Sequence, residues 1–317
     1  MGDTSDHMPS VAHRVCILLV AFLSGCSGCG GPPSELVVEG RYGFLRCASL
    51  ELDRDEPWEE LGFSLQVQER LLSLQTDKNN LQVVVLAGPG PGPATLESLT
   101  EHLNERPADL VVLLGGLGDS ESIASSTLAS LSALPSLSIL MGGGRDDGEV
   151  WMEALDTLDS DSRERVIDAR GLRGLRFGES VLALWSGGPE GRYARTRVSC
   201  GFHADELAAF QEALSDYQAA GFISWTAPAG VGFGLGGVDV GSQAVQGTWQ
   251  ELGAPIGVFA WPRVLEPAPV DGEAQRAHFV QRLDGIPMMR EDGTPARGRV
   301  LRFVWEAGHL RLVRDAP

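Results

Sequence analysis

The chain has 317 residues, 43% of them hydrophobic and 21% charged, and its 43 Asp and Glu against 25 Lys and Arg leave a formal net charge of −18. That imbalance excludes nucleic acid as a partner, because nothing in it would neutralise phosphates in bulk. The apolar content is that of a globular chain, and no segment after the first 25 residues approaches the ~20 apolar residues of a spanning helix.

Val15 to Leu23 form an unbroken apolar run that follows Arg14 and ends in Leu23-Ser24-Gly25-Cys26. The run is too short to cross a bilayer and fits the roughly 7–15 residues of a signal-peptide core. Its ending resembles the lipobox of bacterial lipoproteins, in which small residues suit the signal peptidase and the cysteine thiol accepts diacylglycerol. Residues 1–25 are therefore expected to be a signal peptide, and Cys26 the lipidated first residue of the mature chain. Asp3 and Asp6 are out of place in a positive leader, which points to a start at Met8. Stretch 26–35, rich in Gly, Ser and Pro, reads as a flexible tether. Residues 36–317 are then a single domain with an N-terminal extension over 36–80. The anchor implies a bacterial cell envelope protein that faces the periplasm and meets the membrane through its lipid. Ser27 does not supply an acidic retention signal, which leaves the outer membrane as the default over the inner. Of the remaining cysteines, Cys47 and Cys200 are the expected disulfide pair in that oxidising compartment, the alternative being two buried thiols.

Leu36 to Val38 and Tyr42 to Leu50 look like short strands, and Trp58 to Leu74 carries an apolar spacing that predicts a helix. Leu81 to Leu86 is a β-branched run closed by Ala87-Gly88-Pro89-Gly90, the form of a strand buried on both faces. A helix over Thr95 to Asn104 follows, and the unit then repeats. Asp109 to Leu114 is a strand ending in Gly115-Gly116, Ser120 to Leu134 a helix, and Leu137 to Met141 a strand ending in Gly142-Gly143-Gly144. Strands alternating with helices imply right-handed βαβ units, a largely parallel sheet, and loops gathered at one edge. Further on, Gly148 to Leu158 and Ala204 to Ala219 read as helices, with Leu175 to Trp185 as a hairpin between them. Phe222 to Trp225 and Ile256 to Ala260 are strands, Gly230 to Gly237 a loop and Ser242 to Leu252 a helix. Arg299 to Trp305 and His309 to Val313 form a closing hairpin about Ala307-Gly308.

The order of these elements from Leu81 to Val313 resembles the calcineurin-like metallophosphoesterases. Asp239 to Val245 followed by Gly253 to Phe259 is similar to the stretch before that family's last metal motif, and Arg297 to Val300 with Gly308 to Arg311 to its closing strands. The resemblance implies an α/β fold, a two-sheet sandwich flanked by helices. It also implies five ligand loops: Asp-x-His, Gly-Asp, Gly-Asn-His, a lone His before Pro, and Gly-His-x-His. Two divalent metals about 3.5–4 Å apart need those N and O donors to make a hydroxide and clamp a phosphate. Here the loops read Ala87-Gly88-Pro89, Gly115-Gly116, Gly142-Gly143-Gly144-Arg145, Trp225-Thr226-Ala227-Pro228 and Ala260-Trp261-Pro262-Arg263. Gly116 stands where the bridging Asp belongs, and Gly143 and Gly144 where Asn and His belong. The expectation is a lipoprotein with this fold that lacks the metal ligands, has no cofactor or catalytic residue, and serves as a non-catalytic binding or scaffold protein for an unknown protein or small-molecule ligand.

The alternative is a divergent phosphoesterase that binds two divalent metal ions through relocated ligands, with Asp119, Asp146, Asp147 and His203 as candidates. Asp after glycine also caps helices, so each aspartate has a structural reading beside the functional one. Arg145 suits an anion or a surface ion pair. Ala87 to Pro93 fails as a phosphate loop, since its prolines lack the N–H groups and no lysine follows. No Gly-x-Ser-x-Gly elbow occurs. Cys200 with His203 is a thiol–imidazole pair or a structural cysteine beside a helix cap, and Trp225, Trp249 and Trp261 fit core packing or an apolar cleft.

Overall fold

A β-strand turns successive side chains to opposite faces, and the strands at 110–114, 137–141 and 180–185 bury both. The computed structural model describes residues 54–88, 100–101, 103–118, 120–144, 146–189, 200–230, 234–235, 238–239, 241–261, 276–281, 288–289, 295–296 and 300–313. All of them belong to one unit of the chain, Gly40–Pro317. In chain order the strands are β1 (Arg54–Glu60), β2 (Phe63–Gln68), β3 (Leu71–Gln75), β4 (Asn80–Leu86), β5 (Leu110–Leu114), β6 (Leu137–Met141) and β7 (Val166–Asp168). They continue as β8 (Gly174–Phe177), β9 (Ser180–Trp185), β10 (Gln218–Ser224), β11 (Ile256–Trp261), β12 (Arg276–Gln281), β13 (Leu301–Glu306) and β14 (His309–Leu312). The helices are α1 (Glu121–Ser132), α2 (Gly148–Asp156), α3 (Ser160–Arg165), α4 (Ala204–Leu214) and α5 (Gln243–Glu251), with further helical backbone at 103–105.

Of the two large sheets, one runs β1-β2-β3-β8-β9-β10-β11-β12 and the other β14-β13-β4-β5-β6-β7; strands of two residues each pair in three further ladders. Strands β4 to β7 are mutually parallel, as are β9 to β12. Alternation divides their side chains between layers. Val83, Val85, Val112 and Ile139 of the second sheet meet Leu65, Leu72, Leu182 and Ile223 of the first in a core between the sheets. On the outer face of the second sheet Val84, Val111 and Leu140 pack beneath α1 and α2, through Leu128 and Trp151. On the first sheet Val181, Ala183 and Phe222 pack beneath α4 and α5, through Phe210 and Trp249. The result is an α/β sandwich of two sheets between helical layers: alternation of strands and helices led to the parallel strands, and the two-sheet arrangement is the one the resemblance implied. One irregularity makes it fit: a register shift between Ala219 and Gly221 in β10 lets Ala220 face the inter-sheet core, Phe222 the helices and Ile223 the core again.

Two expected elements differ. Trp58 to Leu74 is not a helix but the end of β1, all of β2 and most of β3, joined by turns in which Leu61, Glu69 and Arg70 have positive φ. The deciding period is two: Phe63, Leu65 and Val67 are buried, while Ser64, Gln66 and Gln68 between them are not. The helix that begins after His203 stops at Leu214 rather than Ala219, where Tyr217 N–H bonds to the Leu214 carbonyl at 3.0 Å and β10 begins. The signal peptide, Cys26, Cys47, Asp119, Arg145 and the expected strands at 36–50 lie outside the described residues.

Ile139 is fully buried on β6, between β5 and the edge strand β7 of the second sheet. Ile139→Ala is expected to lower the unfolding free energy by ~2–5 kcal/mol, read from urea denaturation. Asp159, which caps α3, accepts the Ser162 N–H at 2.7 Å; that bond, with one from the Ser162 hydroxyl, holds its carboxyl below the usual carboxylate range. With the folded-state pKa depressed, the cap contributes above the unfolded-state value and is lost as pH falls through the folded one. NMR titration of the Asp159 carboxyl should give a midpoint below that of a freely solvated aspartate.

Candidate functional site

Parallel strands deliver their following loops to one edge. Here β4, β5, β6, β9 and β10 end in Ala87-Gly88, Gly115-Gly116, Gly142-Gly143-Gly144, Ser186-Gly187-Gly188 and Trp225-Thr226. Backbone hydrogen bonds stitch these loops side to side. Gly88 N–H donates to Gly115 O at 3.0 Å, Gly115 N–H to Met141 O at 2.8 Å, and Gly187 N–H to Gly142 O at 2.7 Å. Hydroxyls complete the seam. Ser186 Oγ accepts from Gly142 N–H at 3.1 Å, and Thr226 Oγ1 donates to Gly187 O at 2.8 Å.

So close an approach needs residues without a Cβ. A Cβ added at Gly116 would stand 2.5 Å from Gly88 Cα, and one at Gly144 would stand 2.8 Å from Gly188 Cα. The indole of Trp225, only 6% exposed, fills the centre of the rim. A Cβ at Gly143 would lie 2.6 Å from Trp225 Nε1, at Gly115 2.8 Å from its Cδ1, and at Gly144 2.9 Å from its Cζ3. Gly115 and Gly116 also hold φ of +62° and +73°, a conformation that side-chain-bearing residues rarely adopt. The positions at which the family resemblance implies Asp, Asn and His therefore have room for none of them in this packing.

Asp146 braces the same seam. Its carboxylate accepts the N–H of Gly116 at 2.9 and 3.0 Å and the N–H of Gly143 at 2.7 Å, while its own N–H donates to Gly143 O at 3.0 Å. Converging backbone N–H groups make an anion nest, and here the chain's own carboxylate occupies it. Asp147 does what the capping reading expects: it accepts Glu149 N–H at 3.0 Å and Val150 N–H at 3.4 Å at the start of α2. His203 is an exposed residue at the N-cap of α4. Cys200 is fully buried and half of a disulfide, its sulfur 2.6 Å from where a Gly142 Cβ would stand. Its expected partner Cys47 lies outside the described residues, as does Asp119. Among the described residues, no three His, Cys, Asp or Glu side chains stand together as a cation site. Trp249 belongs to the helix layer, where its Nε1 donates to Ala254 O at 2.9 Å and its ring meets Phe259 at 5.3 Å.

The sequence reading missed two features. Trp225, read from the sequence as core packing or part of an apolar cleft, packs as the filler of the rim, and its contacts with Gly115, Gly143 and Gly144 are what residue types alone did not give. Arg170 was not singled out. It is buried beside the end of β7, pairs with Asp168 through Nε–Oδ1 at 2.8 Å and Nη2–Oδ2 at 2.6 Å, and stacks on Trp151 at 4.5 Å. Beside it, a cavity of about 30 Å³ lined by Arg70, Arg173, Ser186 and Glu206 has room for about one water.

No protein-family model matches the chain, and none of the curated proteins does. The TT1561 protein of Thermus thermophilus is 15% identical, over 64% of this chain and 90% of its own, with a TM-score of 0.48. Another solved structure is 11% identical, covering 74% of this chain and 99% of its own, with a TM-score of 0.51. At that identity the likeness is one of fold alone.

The packing makes a double-substitution test available. Gly143→Ala should destabilise the native chain, and its penalty should shrink by ~0.5–3 kcal/mol in a Trp225→Ala background, because the Cβ then meets empty space. Trp225→Ala alone is expected to cost ~3–5 kcal/mol in urea unfolding.

Proposed function

We propose that the chain is an envelope lipoprotein with a metallophosphoesterase-like body that carries no metal and works as a binding or scaffold protein. The observation that carries this reading is the Trp225 indole packed on Gly115, Gly143 and Gly144 at the strand-end rim. Support for the fold comes from the two sheets between helical layers, with the loops that carry metal ligands in that family gathered at one edge. The residues at that edge do not fit the family's two divalent ions. The side chains of glycine, alanine and tryptophan offer no carboxylate, imidazole or carboxamide oxygen, and the aspartate nearest them is already engaged by two backbone N–H groups. Phosphoester hydrolysis at this rim is accordingly not part of the proposed role.

Two experiments test the proposal separately. For the metal-free reading, the full chain purified in detergent is equilibrated with Mn²⁺ and with Zn²⁺, passed through a desalting column and analysed for bound metal. Far less than one ion per chain is expected, with no metal-dependent hydrolysis of bis(p-nitrophenyl) phosphate. Two retained ions per chain, with turnover that falls on Asp146→Ala, would instead establish the divergent phosphoesterase. For the anchor, Cys26→Ser is expected to abolish incorporation of labelled palmitate and release the chain from membranes. Labelling that persists in that variant would remove Cys26 as the lipidation site.

A further inference from the structure

The connection that carries the chain from the second sheet to the first, between β7 and β8, lies against the β2–β3 turn. Arg173 N–H donates to the Arg70 carbonyl at 2.8 Å, and Leu184 N–H of β9 donates to the Arg173 carbonyl at 2.8 Å. These contacts bring Arg70, Arg170 and Arg173 to the cavity of about 30 Å³ described above, whose wall also includes Trp185 and Ser186 at the end of β9. Three of its ten lining residues are arginine, in a chain of net charge −18, and Glu206 is the one carboxylate among them. Arg70, Arg173 and Glu206 are half-buried, so the cavity reaches the surface on their side. Arg170, 1% exposed, and Trp185, 7% exposed, form its inner wall.

Two donors of that inner wall have no acceptor among the described residues. Asp168 takes the Nε–Nη2 edge of the Arg170 guanidinium at 2.8 and 2.6 Å, and Met152 Sδ accepts from Nη2 at 3.1 Å. Nη1, on the side of the guanidinium away from Asp168, is buried with no hydrogen-bond partner. Trp185 Nε1 is buried and unpartnered as well, while its ring is held edge-on to Phe202 at 5.3 Å and to Phe210 at 4.9 Å. A buried donor without an acceptor carries its full desolvation cost. Ser186, whose Oγ accepts Gly142 N–H at 3.1 Å, keeps its own hydroxyl hydrogen to donate.

Guanidinium and indole N–H groups donate and cannot accept. A water among them would have to place two hydrogens of its own, in a lining with a single carboxylate. A monatomic anion instead accepts from every side, balances guanidinium charge and needs about the room of one water, whereas phosphate and other oxyanions are too large. We propose that this cavity is a chloride site, in which Arg170 Nη1 and Trp185 Nε1 donate to the ion and the Arg70 and Arg173 guanidinium groups supply the surrounding positive field. The ion ties the β7–β8 connection to the end of β9 and so acts as a structural anion where the chain passes between sheets. This goes beyond the metal-free reading and does not depend on it, since neither donor belongs to the seam of strand-end loops.

The test uses the full chain in an uncharged detergent and chloride-free buffer. Urea unfolding is followed in sodium chloride and in sodium gluconate at equal ionic strength, gluconate being too large for the cavity. Chloride at ~0.2 M should raise the folding equilibrium constant about tenfold over gluconate, the linkage expected of a dissociation constant of about 20 mM. Trp185→Phe keeps an aromatic ring against Phe202 and Phe210 but removes the N–H, and should cut that effect to less than about threefold. Arg163→Ala, on the exposed α3, should leave it unchanged. A crystal of the native chain grown in sodium bromide should show an anomalous peak at the bromine edge between Arg170 Nη1 and Trp185 Nε1, and this measurement decides even where the variant fails to fold. The proposal is overturned if the cavity holds water and no bromide, if chloride and gluconate give the same unfolding curve, or if Trp185→Phe keeps the full chloride effect. None of these outcomes bears on metal content.

Discussion

The indole of Trp225 rests directly on peptide backbone, and the geometry of the rim follows from that contact. An aromatic ring can lie so close to Gly115, Gly143 and Gly144 because none of them carries a Cβ. With the ring in place, the loops after β4, β5, β6 and β9 draw together until their own N–H and carbonyl groups bond across the gaps. Burial of the ring and satisfaction of the loop backbone are therefore coupled: a side chain at any of these glycines would displace the indole, the neighbouring strand end or both. Interiors packed at this density transmit such displacements instead of absorbing them.

Asp146 fits the same account. Two backbone N–H groups left at a strand-end rim need an acceptor if water is kept out. Here a carboxylate from the following loop takes that place, bonding Gly116 and Gly143 at once. The α2 cap falls to the next residue, Asp147. Two adjacent aspartates that look alike in the sequence thus have distinct tasks, one bracing loops and the other starting a helix.

Much of the fold was legible because the parallel strands advertise themselves. Leu110 to Leu114 and Leu137 to Met141 are short apolar runs stopped by glycines, and they emerge as strands buried on both faces. The hairpin at 175–185 and the closing hairpin about Ala307-Gly308 were equally plain. The β1–β3 meander was misread for a physical reason: Leu71-Leu72 and Leu74, added to the alternating Phe63, Leu65 and Val67, give enough apolar positions to match a helical period, and only the positive-φ turns at Leu61 and Glu69 separate the strands. At the rim, the glycine-rich strand-end loops could be read from residue types alone. That Trp225 fills the space depends on contacts among residues far apart in the chain, which no local pattern reports. The arginine-lined cavity was hidden likewise, because its members come from the β2–β3 turn, the β7–β8 connection, the end of β9 and α4.

The account stands on a rim that is closed by packing. The most direct measurement is a crystal structure of the full chain grown in millimolar Mn²⁺, with anomalous data collected near the manganese edge. The account predicts no anomalous peak between the loops after β4, β5 and β6, and the Trp225 ring lying over Gly143. A peak there, with Trp225 swung out and Asp146 turned from Gly116 and Gly143 toward the ion, would contradict it.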